Sequence, residues 1–157
     1  MSVKKITRQG MVAAIYVVLT ILSETFGLGY GSLQFRLSEI LAILPFFNPE
    51  YVIGVTLGCL LANIASPAGV VEMLVGPLAT FVVALIMTKI KNFYLACLVP
   101  VVVGMVPIAL EIYLLMPNPV GFWAILGELI LSEALVIYAV GVPVFYILCK
   151  NKAFTKA

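Results

Sequence analysis

The sequence predicts an all-α integral membrane protein with six transmembrane helices. Of its 157 residues, 64% are hydrophobic and only 10% are charged, with no His and no Asp. Soluble domains carry about 25% charged residues, so this chain has too few polar groups to cover a surface in water. A membrane-spanning helix takes roughly 20 residues, which leaves room for about six spans and no separate soluble domain. We therefore expect residues 1–157 to form a single transmembrane domain.

Prolines, glycines and charges divide the chain into six apolar runs. The predicted helices cover about residues 7–26, 36–47, 49–65, 71–88, 93–115 and 122–149. The second run is the weakest candidate for a span, because it would reach only about 18 Å as an α-helix. Pro45 and Pro49 are expected to break that helix. The fifth run contains Pro100, Gly104 and Pro107, which predict a kink.

The basic residues gather on one side of this six-helix arrangement. An even number of spans puts both termini on the same side of the membrane. Only Arg36 falls on the opposite side; the cations on the terminal side are Lys4, Lys5, Arg8, Lys89, Lys91, Lys150, Lys152 and Lys156. By the positive-inside rule both termini are predicted to be cytoplasmic. Because no small-x-small cleavage site follows the first run, we expect that run to be a retained helix.

The acidic residues map to the other side. The glutamates assigned to the outer half are Glu24, Glu39, Glu72, Glu111, Glu128 and Glu133, and only Glu50 maps inside. Glu24 and Glu111 are interpreted as helix-end carboxylates in contact with water. Glu72 lies in the first turn of a helix, where an acid suits the helix dipole.

Glu128 and Glu133 lie deeper in the sixth helix, where an ionisable group usually faces a cavity or a partner. At 100° per residue they point about 140° apart, so they need not share one site. Arg36 and Glu39, spaced i and i+3, could form a local ion pair. The glycine-rich stretch 27–39 is either a simple connector or a loop that helps close an outward-facing pocket. The positions of the charges favour the pocket.

Such a pocket suits a flat ligand with many N–H donors, because carboxylate and amide groups accept paired hydrogen bonds from a guanine-like edge. Tyr30, Phe35 or Trp123 could stack on the face of that ligand. The same groups would also suit an organic amine. These residues indicate a ligand class and leave its identity open.

Two pairs of small residues allow close helix packing. Gly10 and Ala14 lie four apart on the first helix, and Gly54 and Gly58 lie four apart on the third. Such faces pack against other helices in lipid. The second face suits packing within the chain and docking of a partner subunit equally well.

Several function classes are excluded or disfavoured. The chain has no GxxxxGK[ST] loop for ATP and no CxxC spacing. Without His it cannot form a Ser-His or Cys-His pair, so we expect no catalytic residues and no enzyme activity. We also expect no cofactor, no metal site and no nucleic-acid partner.

The chain resembles the substrate-binding (S) components of energy-coupling-factor (ECF) transporters, and within them the QueT family of queuosine-precursor transporters. The resemblance is carried by KKITRQGMVAAIYVVLT near the start, by LQFRLSEIL at Leu33–Leu41 and by NPEYVIGVTLGCLLAN at the start of the third helix. It implies a multi-pass subunit that captures a 7-deazaguanine base such as preQ0, preQ1 or queuine from outside. It also implies an energy module made of a transmembrane scaffold subunit and two cytoplasmic ATPases. An S component for another vitamin or an amine is the alternative.

The resemblance also implies roles for individual residues. The segment that closes over the ligand would include Gln34, Arg36 and Glu39. Polar contacts to the ligand would come from Asn63, Glu72, Glu128 and Glu133, and Trp123 would stack on it or lie at the rim. Contacts with the scaffold subunit would involve Gly10 and Ala14, with Gly54 and Gly58 as a second candidate face.

Overall fold

The computed structural model describes residues 3–28, 34–66, 69–115 and 120–150, and these residues form helices and short connections without any strand. The helices, in chain order, are α1 (Val3–Thr25), α2 (Leu37–Phe47), α3 (Tyr51–Ala62), α4 (Val70–Met87), α5 (Phe93–Leu115) and α6 (Phe122–Lys150). The predicted all-α class and the six helical segments are confirmed. Four of them, α1, α4, α5 and α6, are long and apolar enough to cross a membrane, whereas α2 and α3 are shorter. The cytoplasmic position of the termini stays a prediction.

Helix α2 is sheltered by the rest of the protein. It runs as a 3-10 helix over Leu37–Ile43 and as an α-helix over Leu44–Phe47. Ser38 and Ile43 are fully buried. Pro45 does not break this helix, because it lies in the first turn of the α-helical part, where its missing N–H costs little.

Helices α1 and α3 run parallel in close contact. An ion pair joins Lys5 to Glu50 at one end of the interface. Further along, the Gly54 N–H donates to Oε1 of Gln9 at 2.8 Å. A Cβ on Gly58 would lie 2.6 Å from the Cβ of Tyr16, so only glycine fits there.

This packing corrects the interpretation of Gly54 and Gly58 as a face for a partner subunit. Both are buried against α1, because their missing side chains let the two backbones approach. Gly10 and Ala14 are exposed on the opposite face of α1. Their contact with a partner stays a prediction.

Helices α5 and α6 each contain a stretch of π-helix. The stretches are Pro100–Gly104 in α5 and Leu135–Gly141 in α6. The first coincides with part of the predicted kink region, whereas no sequence feature had suggested the second. Stretches of this kind are frequent at functional sites, and here they lie beside a cavity enclosed by α2 to α6.

Candidate functional site

A cavity lies between α2, α3, α4, α5 and α6. Its apolar wall comes mostly from α4 and α5, and its polar wall from Gln34, Arg36, Glu39, Thr80, Ser132 and Glu133. The volume is about 40 Å³. The cavity therefore brings together four of the residues predicted to bind ligand: Gln34, Arg36, Glu39 and Glu133.

Arg36 is held at the cavity by residues from α3 and α4. Its Nη2 donates to Oδ1 of Asn63 at 2.6 Å, and its Nη1 lies 3.5 Å from Oε1 of Glu72. Its Nε is buried without a hydrogen-bond partner among the described residues. The two Nη contacts use two of the five N–H donors of the guanidinium, and the Nε–H is among those left over.

The predicted ion pair between Arg36 and Glu39 is wrong. Arg36 precedes α2 in an extended conformation, so the i and i+3 geometry of a helix does not apply to it. Its guanidinium pairs with Glu72 instead. Glu39 accepts a hydrogen bond from the hydroxyl of Tyr16 at 2.5 Å.

Asn63 and Glu72 contact the Arg36 guanidinium and hold it in position. Asn63 is fully buried, and its Nδ2 donates to the backbone carbonyl of Glu72 at 3.2 Å. The Ser66 hydroxyl donates to the Glu72 carboxylate. A Cβ on Gly76 would lie 2.3 Å from Nδ2 of Asn63, so glycine at that position makes room for this network.

Polar residues on α1 hold α2 in place, and the sequence interpretation missed them. Tyr16 and Thr20 are completely buried, and Thr20 donates to the Ser38 hydroxyl at 2.8 Å. The N–H of Leu37 donates to Oγ of Ser23 at 2.9 Å. Tyr16, Thr20 and Ser23 follow each other at intervals of four and three, which places them on one face of the helix. That polar stripe in an apolar helix was the available signal.

Glu133 projects from α6 at the cavity wall. Its side chain is almost completely buried, and its Oε1 has no hydrogen-bond partner among the described residues. Glu39 and Arg36 are the other charged residues that line the same cavity. An unpaired acceptor at this position is free to bind an N–H donor, because buried polar groups in folded proteins are normally paired.

The remaining predicted residues lie apart from this cavity lining. Glu128 is half-buried one helical turn before Ser132, and Trp123 is 80% exposed with its ring 5.3 Å from that of Phe122. Phe35 is half-buried, whereas Tyr30 lies outside the described residues.

The expectation that Glu111 contacts water at a helix end is corrected. The residue is only 7% exposed, and both of its carboxylate oxygens are buried. The helix does end near Glu111 as predicted, because α5 ends at Leu115. Packing in the tertiary structure covers Glu111 nonetheless.

The polar part of the cavity lining presents hydrogen-bond acceptors together with one cation, Arg36. Glu39 and Glu133 offer carboxylate oxygens, Arg36 offers the Nε–H that has no partner among the described residues, and Thr80 and Ser132 add hydroxyls. No cluster of metal-ligating residues occurs in the part of the chain that the structure describes. The chemistry suits reversible binding of a planar ligand that has several N–H donors and a carbonyl acceptor.

One known protein similar to this chain is the queuosine precursor transporter QueT of Lactococcus lactis subsp. cremoris (strain MG1363). The two are 44% identical over 72 residues, which cover 46% of this chain and 42% of that protein. The match thus spans less than half of the relative's length. No solved structure matches this chain.

The QueT transporter family matches residues 6–150, a range that runs from α1 to the end of α6. The match confirms the resemblance noted in the sequence. Together with the long apolar helices, it shows that this multi-pass membrane protein belongs to the QueT transporter family.

Proposed function

We propose that the protein is the membrane-embedded substrate-binding subunit of an ECF-type importer and that it captures a queuosine precursor, a 7-deazaguanine base, from outside the cell. The match to the QueT transporter family over residues 6–150 is the main support. The relative from Lactococcus lactis is named as a queuosine precursor transporter. We assign no enzyme activity to the chain.

The cavity chemistry supports the same ligand class. A deazaguanine presents N–H donors along one edge beside a carbonyl oxygen. Oε1 of Glu133 is a free acceptor for such a donor, and the Nε–H of Arg36 is a free donor for the carbonyl. We propose that Glu39 and Gln34, which also line the cavity, complete the contacts. In this proposal Asn63 and Glu72 position Arg36 without touching the ligand.

Energy for transport would come from partner proteins. The chain has no phosphate-binding loop for ATP. We propose a transmembrane scaffold subunit and two ATPases as those partners. Gly10 and Ala14 are exposed on α1, so a scaffold helix could approach them closely.

A binding titration on the purified protein in detergent tests the ligand. The probes are 7-cyano-7-deazaguanine, 7-aminomethyl-7-deazaguanine and queuine, with guanine and riboflavin as controls. We expect tight binding of at least one deazaguanine and much weaker binding of guanine. If a folded, monodisperse sample binds none of the three, the proposed ligand is wrong. The alternative, an S component for another vitamin or an amine, would then be pursued through the small molecules that co-purify.

A further inference from the structure

The side chain of Glu111 in α5 ends in a buried carboxylate. The residue is 7% exposed, and neither Oε1 nor Oε2 has a hydrogen-bond partner among the described residues. Burial of such a group without a partner costs free energy. Native proteins contain few such groups, so this one calls for a physical explanation.

Glu111 lies one helical turn beyond the cavity described above. Ile108, three residues earlier on α5, lines that cavity, and residues spaced three apart share a helix face. On α4, Glu72 stands in the same relation to Gly76, which also lines the cavity. Glu72 and Glu111 are near enough for their carboxylates to interact electrostatically. The two carboxylates therefore form a second polar layer next to the cavity.

The two carboxylates of this layer differ in their partners. Glu72 interacts with Arg36 and accepts a hydrogen bond from Ser66. Glu111 has neither kind of contact. Arg36 is the one cation among the buried charged residues that the structure describes, and the buried acids include Glu72, Glu111 and Glu133. Among the described residues, no buried cation other than Arg36 is present to compensate a charge on Glu111.

Glu111 itself does not line the cavity, whereas Ile108 does. A ligand bound in the cavity would therefore reach Glu111 through a substituent that extends past Ile108.

We propose that Glu111 binds a protonated amine substituent of the ligand and thereby selects an aminomethyl-substituted deazaguanine over a neutral cyano-substituted one. This inference rests on the proposed function. An alkylammonium group has three N–H donors and a full charge, so it satisfies both oxygens of a buried carboxylate. A cyano group has no donor and leaves those oxygens unpaired.

The test compares the Glu111→Gln variant with the unmodified protein in titrations of 7-aminomethyl- and 7-cyano-7-deazaguanine. We expect a loss of about 10- to 100-fold in affinity for the aminomethyl base, since a hydrogen bond to a charged group is removed. Affinity for the cyano base should stay the same or improve. Glu111→Asp should give a smaller loss for the aminomethyl base. Glu50→Gln, an acid-to-amide change at an exposed position, is the control and should alter neither affinity.

Thermal unfolding of the ligand-free variant separates binding from structure. Because both oxygens of Glu111 are unpaired, Glu111→Gln should unfold at the same temperature as the unmodified protein or at a higher one. A variant that fails to fold would give the carboxylate a structural role and overturn the inference. Equal losses for both bases, or no loss for either, would also overturn it. If the unmodified protein binds neither base, the proposed function itself fails.

Discussion

The α1–α3 interface and the cavity wall both bury polar groups, but they treat those groups differently. Between α1 and α3, the carbonyl oxygen of the Gln9 side chain is used by the N–H of Gly54, and Gly58 packs on Tyr16 without a gap. At the cavity, Arg36 and Glu133 each keep a buried polar atom without a partner among the described residues, and so does Glu111 one helical turn beyond it.

This contrast suggests two roles for buried polar groups: paired groups stabilise the fold, and unpaired groups are candidates for ligand binding. A paired buried group stabilises one arrangement of helices, whereas an unpaired one is a cost that binding can remove. Glu72 belongs to the first kind, and we propose that Glu133 belongs to the second, although both glutamates lie near Arg36. Four substitutions test the distinction.

The largest effect is expected from Arg36→Met. It removes the cation that pairs with Glu72 and leaves that buried carboxylate with the Ser66 hydroxyl but without its counter-charge, which should lower the free energy of unfolding by about 3–5 kcal/mol. Thermal or denaturant unfolding in detergent measures the change. The double variant with Glu72→Gln should recover part of the loss. An undiminished stability of Arg36→Met would show that the pair with Glu72 does not support the fold.

Glu133→Gln should change binding rather than folding. The unpaired Oε1 is predicted to accept a hydrogen bond from an N–H of the ligand. The binding free energy should therefore become weaker by about 1.5–3 kcal/mol. The ligand-free variant should unfold at the same temperature as the unmodified protein, or higher, because an unpaired buried carboxylate is removed. Ser132→Ala, which alters the neighbouring hydroxyl on the same wall, is a control expected to have a smaller effect. If the variant is destabilised but binds the ligand with normal affinity, Glu133 stabilises the fold and does not bind the ligand.

Gly58→Ala tests the packed interface. The new Cβ would lie 2.6 Å from Cβ of Tyr16, so α1 and α3 would have to move apart. Overpacking of this kind costs about 1–3 kcal/mol. Gly127→Ala is the matched control, since a Cβ there meets nothing within 4 Å. Equal unfolding temperatures for the two variants would mean that the close approach does not matter for stability.

Lys5→Ala should have the smallest effect. Its ion pair with Glu50 is half-exposed at the end of the α1–α3 interface. Surface ion pairs contribute about 0–1 kcal/mol, so the unfolding temperature should hardly change and ligand affinity should not change. A large shift in either measurement would show that this end of the interface is coupled to the site.

Much of the candidate site was predictable from the acids and the single outer cation. Arg36, Glu39 and Glu133 stood out because charged residues are rare in an apolar chain and costly inside a membrane. Tyr16 was missed because a tyrosine in an apolar helix carries no charge signal. The partner of Arg36 was predicted wrongly because local spacing suggested Glu39, and the extended backbone before α2 removed that option.

By itself the sequence determined the all-α membrane class, the six helical segments and their approximate ends. Composition, apolar run length and the positions of proline and glycine are local properties, so they are readable without a structure. Only the tertiary structure decided which polar groups meet. Arg36 reaches Asn63 and Glu72 over separations of 27 and 36 residues, and Glu111 is covered by packing near a helix end. Contacts between helices depend on how their faces pack, and no local pattern in the sequence specifies that.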